Sequence, residues 1–170
     1  MVYYEYVYLQ DKTKIPDDCS EFQFFGLENI ELPDLPNSFI KLFCSNNNLT
    51  KIPELPDSLE YLECTYNKLT ELPELPHSLQ ILTCGNNILT LLPELPNSLE
   101  MLLCNNNNLT ELPELPNSLL TLECNFNNIK YLSPNNCQVM KKCPWLLVLD
   151  NPFSADFTNI KDFREYLMNL

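Results

Sequence analysis

The chain has little of what most ligand chemistry needs. It holds one histidine, two glycines, and 10 basic residues against 23 acidic ones, for a net charge of -13. The lone His77 leaves no histidine set for zinc and no Ser-His-Asp or Cys-His pair for nucleophilic catalysis. Gly26 and Gly85 cannot build a glycine-rich phosphate loop. Phosphate backbones are held mainly by Lys and Arg, so this balance argues against nucleic acid, and it argues equally against an anionic membrane surface. A basic protein surface suits it better. No segment approaches the roughly 20 consecutive apolar residues that span a bilayer. The opening stretch MVYYEYVYLQDKTK has no basic region followed by an apolar one, so no signal peptide is expected. Alanine occurs once. With the bias to Asn, Ile, Lys, Tyr and Phe, this points to an AT-rich coding genome, which concerns source rather than chemistry.

What is abundant is periodic. The stretch Leu59 to Ser78, LEYLECTYNKLTELPELPHS, recurs along most of the 170 residues. Cys44, Cys64, Cys84, Cys104 and Cys124 fall twenty residues apart, and Asn47, Asn67, Asn87, Asn107 and Asn127 keep the same rhythm. Fixed self-similarity at this period means a stacked solenoid in which each repeat buries its apolar side against its neighbours. In Tyr61-Leu62-Glu63-Cys64-Thr65 the apolar positions alternate, which predicts a strand with Leu62 and Cys64 inward and Tyr61, Glu63 and Thr65 outward. One strand per repeat gives a parallel sheet with rungs about 4.8 Å apart. Pro73 and Pro76 remove backbone donors and disfavour helix before them, so the return is extended or polyproline-like. The expected fold class is therefore an α/β solenoid, mostly parallel β, slim and gently curved, with an extended convex side.

The pattern Leu59, Leu62, Cys64, Asn67, Leu69 resembles the leucine-rich repeat. The short period and the tail Leu72-Pro73-Glu74-Leu75-Pro76 look most like repeats of bacterial effector proteins delivered into host cells. The Cys- and Asn-rich flavour also resembles repeat proteins of giant DNA viruses of amoebae. The resemblance covers about residues 19 to 153.

A single domain is expected over 1-170, with an N-terminal cap at 1-18, repeats at 19-132, and a last strand with a helical cap at 133-170. Cys19 to Phe24 reads as a degenerate first repeat with Phe22 and Phe24 inward, Phe25 to Ile30 as its irregular loop, and Val2 to Leu9 as a capping strand. Ser133-Pro134 is a helix start. Cys143 to Phe153 reads as the last strand and loop. Its Asn151 stays on the asparagine ladder although the spacing from Asn127 is 24 residues. Ile160, Phe163, Leu167 and Leu170 sit at helical spacing behind Thr158 as cap.

Each conspicuous column has a structural reading. Stacked cysteines have Cα atoms within disulfide range, but parallel Cβ vectors stay nearly 5 Å apart, beyond the usual spacing of about 3.5–4.5 Å, and five in a line leave one unpaired. They read as free buried thiols, with no metal and no cofactor, in a reducing, cytoplasmic compartment. The asparagines should satisfy backbone groups of the turns. Glu54, Glu74, Glu94 and Glu114 should form a solvated row on the outer face, or an attachment strip for a basic partner or cations. His77 reads as a turn residue. The acceptor patterns Asn48-Leu49-Thr50 and Asn108-Leu109-Thr110 follow from the repeat itself.

The letters that vary lie beside the strands. Phe43, Tyr61, Glu63, Tyr66, Ile81, Thr83, Met101, Leu103, Glu123, Phe126, Trp145 and Leu147 are the candidate partner-binding residues, on the concave sheet face. Among them Phe43, Tyr61, Ile81, Met101 and Leu103 should form an exposed apolar stripe, the kind of patch that marks an interaction site. Gly85 and Leu149 are expected to be exposed there as well. The expected function is a non-catalytic protein-binding module, monomeric, and the resemblance implies a host-cell protein as target. The resembling effectors often carry a ubiquitin-ligase domain with a nucleophilic Cys in a Cys-x-Asp setting. None of the eight cysteines here has Asp two residues on, which leaves an adaptor role or a virion assembly component as the alternatives.

Overall fold

The computed structural model describes residues 20–23 and 32–170. The expected capping strand at Val2 to Leu9, the inward Phe24 and the loop at Phe25 to Ile30 lie outside the described residues. Among the described residues, seven three-residue strands form one parallel sheet in chain order: β1 (Glu21–Gln23), β2 (Lys41–Phe43), β3 (Tyr61–Glu63), β4 (Ile81–Thr83), β5 (Met101–Leu103), β6 (Thr121–Glu123) and β7 (Trp145–Leu147). The register is fixed rung by rung: Leu42 faces Leu62, Leu62 faces Leu82, and Leu122 faces Leu146. A slip of one residue would turn every inward Leu to solvent. Leu42, Leu62, Leu82, Leu102 and Leu122 are fully buried, as are the five ladder cysteines.

The prolines act as expected: the returns carry neither helix nor strand. Each closes on a tight turn in which the amide after the serine donates to the second proline's carbonyl, as Leu59 N does to Pro56 O at 3.0 Å. Inside each repeat Leu59, Leu69 and Leu72, or their equivalents, fill the space behind the sheet, each burial contributing roughly 1.5–3 kcal/mol before chain entropy. At the described start of the core, Phe22 is inward as expected and stacks on Phe39 with ring centroids 6.3 Å apart.

Two polar ladders hold the rungs together. Asn67 Nδ2 donates to Cys44 O and Cys64 O at 2.9 and 3.0 Å, while its Oδ1 accepts from Leu49 N at 2.9 Å. The same bridge recurs at Asn87, Asn107 and Asn127, and Asn151 continues it by donating to Cys124 O and accepting from Ile129 N. The second ladder, absent from the sequence-based expectations, is serine. Ser78 Oγ donates to Leu59 O at 2.7 Å, and Ser58, Ser98 and Ser118 repeat this one rung away.

At the C-terminal end α1 (Pro134–Lys142) starts as the Ser-Pro pair predicts, with Ser133 Oγ accepting from Asn136 N. Its nine residues replace an extended return and take up the four-residue excess between Asn127 and Asn151, so the asparagine register survives. Asn136, 1% exposed, accepts from Leu115 N and donates to Pro113 O, so α1 covers the last extended return in place of another one. A single 3-10 turn follows at Pro152–Ser154, and then α2 (Ile160–Met168). Two expectations fail here. The cap of α2 is Asn159, not Thr158: Asn159 is the extended residue before the helix, and its Oδ1 accepts from Lys161 N and Asp162 N. Leu170 lies past the helix end and is 61% exposed, so it does not close the core. Phe163 and Leu167 do, each 1% exposed, with Phe153 and Phe157 ringed around Phe163.

Candidate functional site

The candidate site is the solvent face of the sheet. Each strand presents its first and third residues there, because alternation sends the middle Leu and the following Cys inward. The first-position row is Lys41, Tyr61, Ile81, Met101, Thr121 and Trp145, and the third-position row is Phe43, Glu63, Thr83, Leu103, Glu123 and Leu147. Phe43 and Tyr61 meet across the rungs with ring centroids 5.0 Å apart. Tyr61 Oη donates to Glu63 Oε2 at 3.3 Å, and burial, reinforced by the Glu63 charge, pushes the Tyr61 phenol up. The expected stripe of Phe43, Tyr61, Ile81, Met101 and Leu103 is contiguous in register but half-buried rather than open.

Thr83 departs from expectation. It lies in the third-position row but is only 7% exposed, because the longer Glu63 and Leu103 occupy the rungs on either side. Its Oγ1 is buried without a hydrogen-bond partner, as is Oδ1 of Asn125. Gly85 is also buried rather than exposed. A Cβ there would lie 2.7 Å from Asn105 Oδ1 and 3.1 Å from Asn105 O, so the Asn105 side chain closes over the glycine. One rung pair away, Ser45 and Thr65 share a hydroxyl hydrogen bond of 2.8 Å. Leu149 packs against the core instead of lying open.

The most exposed apolar groups on the candidate roster are Trp145 at 72%, Tyr66 at 60%, Phe126 at 53% and Leu147 at 50%. Tyr66 and Phe126 share a feature that hydropathy patterning does not reveal. Both lie three residues past the strand's third position, where every rung from β2 to β7 turns with positive φ. The other occupants are Asn46, Asn86, Asn106 and Asp150, while Tyr66 has φ 54 and Phe126 φ 56. Left-handed backbone is tolerated by Asn and Asp and disfavoured for bulky residues. The Asn preference in this column was the available signal. Strain of this kind at an exposed aromatic directs attention to function.

The remaining groups lie in the core or away from the sheet face. The seven described cysteines are free and buried. Burial pushes the Cys84 thiol up to about 12, and burial likewise drives Cys44, Cys64, Cys104 and Cys124 far above the ordinary thiol range. Thiolate, the nucleophilic and metal-binding form, is thereby suppressed. No group of three or more His, Cys, Asp or Glu among the described residues could hold a metal. Glu54, Glu74, Glu94 and Glu114 are exposed on the opposite side, as expected. A notch of roughly 450 Å³ lies there between Glu74, His77 and Glu94, with Leu75 and Leu95 on its walls. His77 sits in the turn, its carbonyl accepting from Ser98 Oγ. No helix of the described residues is long and apolar enough to cross a membrane.

No family model and no curated protein matches the chain. Solved structures do. YopM from Yersinia enterocolitica is 40% identical with a TM-score of 0.67, over 72% of this chain and 26% of that one. A Shigella effector leucine-rich-repeat domain is 36% identical with a TM-score of 0.63, over 69% of this chain and 54% of that one. YopM from Yersinia pestis, described as a leucine-rich effector protein, is 30% identical with a TM-score of 0.67, over 82% of this chain and 46% of that one. The chain thus spans between about a quarter and about half of the length of these structures. Its fold is the leucine-rich-repeat solenoid of these effector structures, here with a twenty-residue repeat.

Proposed function

We propose that the chain is a non-catalytic protein-binding module that takes its partner on the concave sheet face. One observation carries this: the first- and third-position rows form a register-locked strip whose side chains change from rung to rung over a core that does not change. The outward residues are free to vary because the inward Leu, Cys, Asn and Ser already meet the packing and hydrogen-bonding needs of each rung. The strip mixes half-buried apolar groups with exposed aromatics, the composition of interaction hot spots. The likeness to effector repeats supports a protein of a host cell as the target, and a column of free thiols suits a reducing compartment.

The test is selection of binders from a displayed library of eukaryotic protein fragments, followed by mapping with Tyr61→Ala and Met101→Ala. Both substitutions should weaken the selected binders about tenfold, a loss of about 1.4 kcal/mol, with the fold retained. Binders indifferent to both changes, or sensitive only to changes at Glu74 and Glu94, would overturn the reading.

A further inference from the structure

The strand-end glutamates and the left-handed aromatics travel together. In Glu63-Cys64-Thr65-Tyr66 and Glu123-Cys124-Asn125-Phe126 the third strand residue is Glu and the positive-φ residue is aromatic. The other rungs from β2 to β7 have neither: they pair Phe43 with Asn46, Thr83 with Asn86, Leu103 with Asn106, and Leu147 with Asp150. Glu21, in the same sheet, is neutralised by Lys41 at 2.7 Å. Glu63 and Glu123 form no salt bridge among the described residues, although Glu63 accepts the Tyr61 hydroxyl. A carboxylate three residues before an exposed aromatic ring offers the two groups that can receive a guanidinium or ammonium, one by charge and the other by its ring face.

The spacing of the two modules narrows the occupant. Three rung steps separate β3 from β6, which at about 4.8 Å each is about 14 Å. An extended segment returns to the same face every second residue and covers about 13 Å in four. A helix, at 1.5 Å per residue and 100° per step, brings a residue back to the same face after about 7 or 11 residues, at roughly 10 or 16 Å, and matches the distance less closely than the extended segment. Between the modules lies the unpartnered Thr83 hydroxyl, 7% exposed and adjacent to Glu63 in register. It is a polar group that the free chain leaves unsatisfied. The net charge of -13 adds a general preference for basic partners.

We propose that the sheet face binds an extended basic segment of a partner protein, seating two Arg or Lys side chains four residues apart in the Glu63–Tyr66 and Glu123–Phe126 modules. This rests on the concave-face reading and adds to it the chemistry of the occupant. The probe is a capped serine-glycine peptide of nine residues with arginines at its third and seventh positions, and the control has the same composition with the arginines adjacent. Both are titrated into the full chain at low salt and followed by the ring signals of Tyr66 and Phe126 and the methyl signal of Met101. The spaced peptide should shift both rings along one binding curve, about fivefold tighter than the control. The double change Glu63→Gln and Glu123→Gln should weaken it about tenfold while the other signals keep their positions. Absence of binding, equal binding of the two peptides, or binding unaltered by the double change overturns the proposal. If the spaced and adjacent peptides nevertheless shift Met101 alike, the sheet-face reading stands alone; shifts confined to the Glu74 and Glu94 side overturn both.

Discussion

Raising the pH should unfold the solenoid, and the cysteine column is the main reason. The five ladder thiols are fully buried, and burial holds each above the ordinary value of 9.0, Cys84 at about 12 and the others also far up. A folded value above the unfolded one means that the native state keeps protons which the unfolded chain has released. The stability these thiols contribute is complete below pH 9 and is lost as pH climbs from there towards 12. At pH 10 each thiol has forfeited about 1.4 kcal/mol, and five together about 7 kcal/mol. Native domains are typically stable by about 5–15 kcal/mol, so the midpoint should fall between about pH 10 and 11. Tyr61, pushed up by burial and by Glu63, adds to the same loss.

The assay is far-ultraviolet circular dichroism against pH in the presence of a phosphine reductant, with urea midpoints at each pH to give the stability slope. The slope sums every group that releases protons on unfolding, so the discriminating quantity is a difference. Cys84→Ala opens a small cavity and lowers stability at every pH, but it should also reduce the number of protons released on unfolding by about one. A slope identical in wild type and Cys84→Ala, or a chain still folded at about pH 12, would refute the argument that burial keeps these thiols protonated.

The asparagine ladder gives the sharpest stability contrast. Asn107→Ala strands the Leu89 amide, whose acceptor is Asn107 Oδ1 at 3.0 Å, and should cost about 2–3 kcal/mol, seen as a melting temperature lower by about 5–10 °C, whereas the exposed Asn97→Ala should stay within about 0.5 kcal/mol. Tyr66→Asn and Phe126→Asn restore the residue that other rungs use at positive φ; each should raise stability by about 0.5 kcal/mol and weaken partner binding, and chemical denaturation showing a loss above about 1 kcal/mol would remove the strain argument. The exposed row Glu54, Glu74, Glu94 and Glu114 places like charges about 5 Å apart. Stability should therefore rise as salt screens them, less so in Glu74→Gln/Glu94→Gln, and a melting temperature indifferent to sodium chloride would contradict this.

The core was legible because the repeat writes it five times. The inward Leu and Cys follow from alternation, and the asparagine ladder survives the longer spacing to Asn151 because strand register, not chain length, sets the rung. α1 was legible from its Ser-Pro start. What escaped depends on neighbours or on a dihedral sign. Thr83 is buried by Glu63 and Leu103, twenty residues to either side, so its own letter says nothing of exposure. The strain at Tyr66 and Phe126 comes from backbone handedness, which hydropathy does not encode. The cap of α2 moved by one residue because Thr158 and Asn159 both have capping side chains, and only the extended backbone of Asn159 next to the helix decides between them. The serine ladder went unread because its acceptors lie on the previous rung.

The two ladders also explain why this face can vary at all. In a parallel sheet of three-residue strands the turns would leave backbone amides and carbonyls without partners, and burying them unpaired is costly. Asn and Ser satisfy them from within and across the rung boundary, as Asn87 does for Leu69 N and Cys64 O. No outward side chain is needed for that task. The outward residues answer only to local backbone preference and to whatever covers them. At the positive-φ column the backbone preference is explicit, Asn or Asp in four rungs of six. Tyr66 and Phe126 depart from it, each with a glutamate three positions earlier, and on the proposal above they do so for the occupant of the sheet face rather than for the fold.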